Sequence, residues 1–311
     1  MQQSTRRSGT RERRAGPVSV AVEALDVERI AEPDVAGRAA AWKAALRKWP
    51  IALGAGVIVL WVLIALTVPL WSPSGPRESV GPRLQSPNAS QWLGTDAVGR
   101  DVLVRTLFGA RDSLPTAAAV IVLTILIGSA LGAIAGFRGG LVESIVMRIS
   151  DIVLAFPPIF LAMAVAAALG PGLRNTVIAL VLVWWPIYAR LLRGQVLTIK
   201  NREHVEAAVA VGVPRGRILR RHVLPLAVTP VLINATMDFG QVVILTASLS
   251  FLGLGATPPS PEWGLAIDDG TRNFYQWWIS LGPGLAILSL VMAANFLGDG
   301  LRDHFDVKAH G

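Results

Sequence analysis

Residues 51–71 read IALGAGVIVLWVLIALTVPLW, a run without one charged side chain. About 20 mostly apolar residues are enough for a helix to cross the hydrocarbon core of a bilayer. In lipid the backbone must satisfy its own polar groups, and a helix does so within a single segment. Outward from this run the pattern repeats. Residues 114–137 and 152–173 carry no charge, and 175–189 is a shorter run ending at Arg190, whose long stem can snorkel to the interface. In residues 224–255 the one charge is Asp238, and 274–298 is uncharged. The fold class expected is therefore an all-α polytopic membrane protein with six transmembrane helices.

Composition agrees. The chain has 311 residues, 52% hydrophobic and 16% charged, and a mean hydropathy of +0.52. Soluble domains carry about 25% charged residues. A net charge of +8 fits nucleic-acid binding or a membrane surface, and the placement of the charge favours the membrane. With no cysteine, disulfides, thiolate metal sites and a cysteine nucleophile are excluded.

Lys and Arg orient the spans. With the N-terminus inside, the tail and the segment 190–221 hold most of the 29 basic residues, and both termini are expected to be cytoplasmic. The outside keeps Arg77, Arg83, Arg100, Arg105, Arg111, Arg174 and Arg272, with Asp96, Asp101 and Asp112 interspersed as pairing partners. Trp49, Trp71, Trp92, Trp263, Trp277 and Trp278 stand at or just beyond span ends, where amphipathic rings prefer the headgroup level. Trp184 and Trp185 fall within the fourth span and are expected to pack between helices.

Four regions follow. Residues 1–49 form a basic cytoplasmic tail, expected to be disordered over 1–38 with an interfacial helix over 38–49; no cleavable signal is expected in it. Residues 50–113 hold the first transmembrane helix and an extracytoplasmic loop, whose second half from Asp101 reads as a short amphipathic helix on the outer surface. Residues 114–306 form the transmembrane core, and 307–311 are a C-terminal tail.

Few residues offer chemistry. Gly128, Gly132 and Gly136 share one face of the second span and form a helix-packing stripe. A charge at mid-membrane costs about 2.5–3.5 kcal/mol on insertion scales, so Asp238 must face protein or a wet cavity. Asn234, Asp238 and Gln241 lie four and three apart on one helix face. Two readings stand side by side: a polar lining of a translocation path, or a hydrogen-bond cluster between helices. Arg148 and Asp151 are expected to pair, one helical turn apart. Asn295 and Asp299 read as capping or packing residues. All four histidines fall on the cytoplasmic side, which removes the base that an intramembrane serine hydrolase would need. No HExxH and no GxxxxGK[ST] occurs, so no catalytic residue, no metal site and no bound cofactor is expected in this chain.

One stretch is polar where apolar runs flank it. Residues 206–225 read EAAVAVGVPRGRILRRHVLP. The residues from Arg202 suit a helix that Gly212 and Pro214 end. Ala207, Ala208 and Gly212 leave little side-chain bulk, which suits a helix that sits deep in a groove of a partner.

This stretch resembles the EAA loop of bacterial ABC importers, and the chain as a whole is similar to the C-type permease subunits of the dipeptide/oligopeptide/nickel family. The likeness runs over residues 45–306 through WLGTDAVGRD (92–101), the EAA loop (193–225), LSFLGLG (249–255), PPSPEWG (258–264) and NFLGDGLRD (295–303). His222, Leu226, Val307 and the long tail depart from the common pattern. The resemblance implies the transmembrane fold of a type I ABC importer. It implies that Glu206, Ala207, Ala208, Gly212, Arg215, Leu224 and Pro225 couple to a cytoplasmic ATPase. It further implies a B-type permease as heterodimer partner, an extracytoplasmic solute-binding protein, ATP and Mg on the ATPase rather than on this chain, and no nucleic acid. Peptides are the implied solutes, with nickel chelate or glutathione as alternatives.

Overall fold

The computed structural model describes residues 49–306, so the expectations for residues 1–48 and 307–311 lie outside it. Among the described residues every regular element is helical, with two isolated bridges, Ser79 to Arg100 and Thr95 to Asp101. Helix α1 spans Trp49–Trp71, α2 Val102–Arg138, α3 Gly140–Leu154, α4 Pro158–Leu169 and α5 Leu173–Lys200. They are followed by α6 (Glu203–Ala210), α7 (Arg215–Ile218), a π-helical turn (Leu219–Val223), α8 (Leu224–Phe251), α9 (Trp263–Arg272) and α10 (Trp278–Asp306). Five rods are long and apolar enough to cross a membrane.

The third expected span is different. Residues 152–173 are not one helix: α3 and α4 meet at an angle of 93°. Pro157 and Pro158 stand at the break. Each lacks an N–H, and each disfavours helical geometry in the residue before it. Hydropathy reads a continuous run there because it does not sense that loss of donors.

Two other boundaries moved. The outer amphipathic helix and the second span are one helix of 37 residues, with Asp101 capping its start by accepting from the Val104 N–H at 3.0 Å. The boundary expected at 113/114 therefore falls inside α2. The basic segment before Leu224 is likewise helical, and residues 215–251 form one rod. Its π turn has a local cause. Pro225 gives no N–H to Arg221, and its ring would crowd that carbonyl in a regular helix. The chain widens instead, and the Leu224 N–H bonds back to Leu219.

Packing is close where glycines allow it. A Cβ on Gly128 would stand 2.4 Å from the Trp185 carbonyl oxygen, and one on Gly132 2.3 Å from that of Ala189. Gly136 approaches the Arg193 carbonyl in the same way. The glycine stripe thus lies against α5, the helix with which α2 shares its longest contact. On the far side, Gly54 of α1 lies against α10, and Gly298 of α10 against Met237 of α8. The helices α2, α5, α8 and α10 enclose a core with Leu180, Tyr188, Leu192, Leu249 and Leu290 wholly buried.

Ion pairs tie α3 to α5. Asp151 accepts from Arg190, and Glu143 from Arg193, with Nε at 2.6 Å. Arg190 takes the carboxylate that sequence spacing assigns to Arg148, because the pair across two helices places the guanidinium over the Asp151 oxygens.

Candidate translocation and coupling sites

The polar face of α8 is only partly assembled. Asp238 Oδ2 accepts from Asn234 Nδ2 at 2.9 Å and from the Trp184 indole N–H at 3.3 Å. Tyr188, one turn along α5 from Trp184, is wholly buried and interacts with the same carboxylate. Gln241 stands apart and is exposed. The carboxylate is thus held by α5 and by its own helix. Of the three residues expected together, the structure joins Asn234 and Asp238. It adds Trp184 and Tyr188, which spacing on one helix could not reveal.

At one end of the molecule, α6 is a short helix attached by one buried residue, Val205. Glu206, Ala207, Val209 and Ala210 are exposed, and Val211 beyond them is 84% exposed. Ala208 is half-buried and packs against the core, so it belongs to the seat of the helix and not to its free face. The C-terminus closes with Gly212 at φ +81°, a region that L side chains avoid. The Val213 N–H bonds to Ala208 O and the Gly212 N–H to Val209 O, both at 3.0 Å. These bonds take up carbonyls that the helix end would otherwise leave free. Arg215 starts α7 and is exposed, while Leu224 and Pro225 open α8.

At the opposite end the loop 92–101 folds on Asp96, which is 2% exposed. Its carboxylate accepts from the N–H groups of Val98 and Arg100 and from Arg100 Nε at 2.6 Å. Arg105, 4% exposed, lies between Asp96 and Asp269 and donates to the Ser260 carbonyl. Burial lifts the Asp269 carboxyl above its ordinary range, and the two arginines pull it back. Asp112 accepts from Ser260 Oγ at 2.7 Å.

Glu262 is buried, caps α9 by accepting from the Leu265 N–H at 2.9 Å, and accepts from Ser113 Oγ. Burial pushes its carboxyl up, against these hydrogen bonds. Trp263 donates from its indole to the Thr106 carbonyl at 2.8 Å and meets Trp61 edge-on at 5.1 Å. The stretch 258–264 thereby joins α1, α2 and α9. Sequence reasoning had placed Arg105 beside Asp96 as a pairing partner, as the structure has it, and missed Ser113 and Glu262; the signal available was a Glu three residues ahead of Leu265, in capping position.

The family described as "binding-protein-dependent transport system inner membrane component" matches residues 128–310. A dipeptide transport system permease protein of Alkalihalophilus pseudofirmus is 42% identical over 267 residues, 85% of this chain and 88% of its own length. A nickel transport system permease protein of Escherichia coli K12 is 38% identical, covering 83% of this chain and 94% of that protein. A glutathione transport system permease protein of Pectobacterium atrosepticum is 39% identical, covering 86% and 90%. On a match that takes in α3 through α10, and on relatives aligned over most of their length, the chain belongs to the inner-membrane components of binding-protein-dependent transport systems, as a multi-pass permease subunit of the bacterial inner membrane.

Proposed function

We propose that this chain is the C-type half of a translocation path for short peptides in an ATP-driven importer, with α6 as the element a separate ATPase grips. The observation that carries this reading is the state of α6: a helix seated through Val205 and Ala208 that leaves Glu206, Ala207, Val209 and Val211 to solvent. An exposed valine pair beside alanines is apolar surface with no internal partner, and a groove on another chain would cover it. The flanking Arg217, Arg220 and Arg221 would meet acidic groups at the rim.

In this reading both termini and α6 are cytoplasmic. A B-type permease completes the pore, and an extracytoplasmic binding protein delivers solute to the end built from residues 92–101 and 258–264. ATP and Mg sit on the ATPase, and this chain makes and breaks no covalent bond. ATPase closure moves α6, and the rods tilt between two states that the nucleotide binds with different affinity. Asp238 is held by Trp184 and Asn234, which favours an inter-helix brace over direct solute contact. Peptide is supported by the dipeptide relative, and nickel chelate and glutathione by the others.

The test uses the native absence of cysteine. Ala207→Cys in the assembled complex should crosslink to the ATPase and resist a membrane-impermeant thiol reagent applied from outside. Ala207→Glu should retain assembly of the permease pair while uncoupling ATP hydrolysis from uptake. Labelling from outside, or normal uptake in Ala207→Glu, refutes the coupling role.

A further inference from the structure

We infer that a basic pocket behind α6 holds the headgroup of one anionic phospholipid. The inference rests on the orientation proposed above, which puts this end at the inner face of the bilayer. A cavity of about 650 Å³ opens between the last turn of α2, the end of α5, α6 and α7. Its wall carries Arg138, Lys200 and Arg215, and no acidic side chain lines it. Ile134 and Phe137 supply an apolar side.

The cations are placed by the backbone. Arg138 ends α2, Lys200 ends α5 and Arg215 begins α7. Lys200 Nζ donates to the Gly136 carbonyl at 3.0 Å, which holds its charge at the cavity. Arg138 and Arg215 are exposed, and neither forms an ion pair among the described residues. Three cations on the wall of one cavity repel one another unless an anion enters, and guanidinium forks match phosphate oxygens.

An amphiphile fits better than a free anion because an apolar lane leads away from the pocket. Leu123, Ile127 and Ile134 lie on one face of α2, spaced four and seven apart, and are 41%, 42% and 41% exposed. An acyl chain along that lane would place its phosphate at Arg138. Basic pockets between helices at the cytoplasmic side are the usual setting for such headgroups. Bound there, the lipid would cross-link the ends of α2 and α5 to α7 and brace the seat of α6.

The experiment titrates the full chain in mild detergent with dioleoylphosphatidylglycerol, and separately with dioleoylphosphatidylcholine, read by native mass spectrometry. One saturable phosphatidylglycerol site is expected, at least about fivefold tighter than phosphatidylcholine. Arg138→Gln combined with Lys200→Gln should weaken phosphatidylglycerol by about 25-fold, about fivefold for each charge, and leave phosphatidylcholine unchanged. Arg138→Lys should keep affinity within a few-fold, with an unchanged melting temperature as the folding control. Equal binding of the two lipids, or an unaffected double variant, overturns the inference. So does displacement of phosphatidylglycerol by millimolar inorganic phosphate, which would mark a soluble-anion site. The thiol labelling at position 207 is independent: α6 found inside with no lipid bound sinks this inference alone, and α6 found outside sinks the orientation.

Discussion

The two ends of the molecule satisfy their polar and apolar groups in opposite ways. At the end built from residues 92–105 and 258–272, Asp96, Arg105, Glu262 and Trp263 are nearly wholly buried, and each finds its partner within the chain. At the other end, α6 buries Val205 and leaves apolar Val209 and Val211 uncovered. A region whose bonds close internally holds its shape alone. A region with uncovered apolar surface offers it to lipid or to another chain. The comparison teaches that the end built from residues 92–105 and 258–272 is a self-contained mount, and that in the proposed coupling α6 would serve as the handle.

Variants can break or sharpen this contrast. The largest effect is expected at the handle. Ala207→Glu would bury an unpaired charge against the ATPase, costing about 3–5 kcal/mol of docking, so ATPase affinity measured by co-purification or surface binding should fall more than about 100-fold. The melting temperature of the chain itself should stay unchanged, because Ala207 is exposed. The next effect belongs to the shared frame. Gly132→Leu drives a side chain into the Ala189 carbonyl and should cost about 3 kcal/mol, seen as lost thermal stability in detergent and low membrane yield.

At the mount, Glu262→Ala strands the Leu265 N–H and the Ser113 hydroxyl. A loss of about 1–3 kcal/mol is expected in thermal unfolding, with coupling of ATP hydrolysis unaffected in whatever complex assembles. The same residue carries a pH signature. Its carboxyl titrates above the ordinary glutamate range in the folded state, so its protonation favours folding. That contribution is complete below the ordinary glutamate value and is lost as pH rises through the raised one. Glu262→Gln should flatten this part of the stability–pH curve, and an unchanged curve would show the burial argument wrong. The smallest effect is at the exposed pair on α3 and α5. Asp151→Asn should change stability by less than about 1 kcal/mol, since water screens both partners.

Much of the fold was legible because lipid imposes a length and a composition. The rods α1, α2, α5, α8 and α10 cover five of the six expected spans. The helical insert was legible for a similar reason, since Gly212 and Pro214 are strong local punctuation. The break at Pro157 and Pro158 was not, because the flanking residues are apolar enough to read as one span. The polar cluster was half legible: Asn234 and Asp238 share a helix and a period, whereas Trp184 comes from another helix. Gln241 fits the same period and yet faces out, because neighbouring helices, and not spacing, decide which part of a face is covered. Likewise Ala207 and Ala208 look equivalent in the EAA motif, and only the seat of α6 on the core separates the free residue from the half-buried one.

Sequence alone determined that this chain lives in a bilayer, where five of its apolar runs can reach across, and where an exposed helix interrupts them. These follow from local rules: hydrocarbon thickness, backbone self-satisfaction and the donors that proline lacks. Tertiary structure decided which charges meet, that Glu262 is buried as it caps α9, that α3 and α4 meet near a right angle, and that three cations from separate helices line one pocket. Those outcomes depend on contacts between residues far apart in the chain, and no local period encodes them.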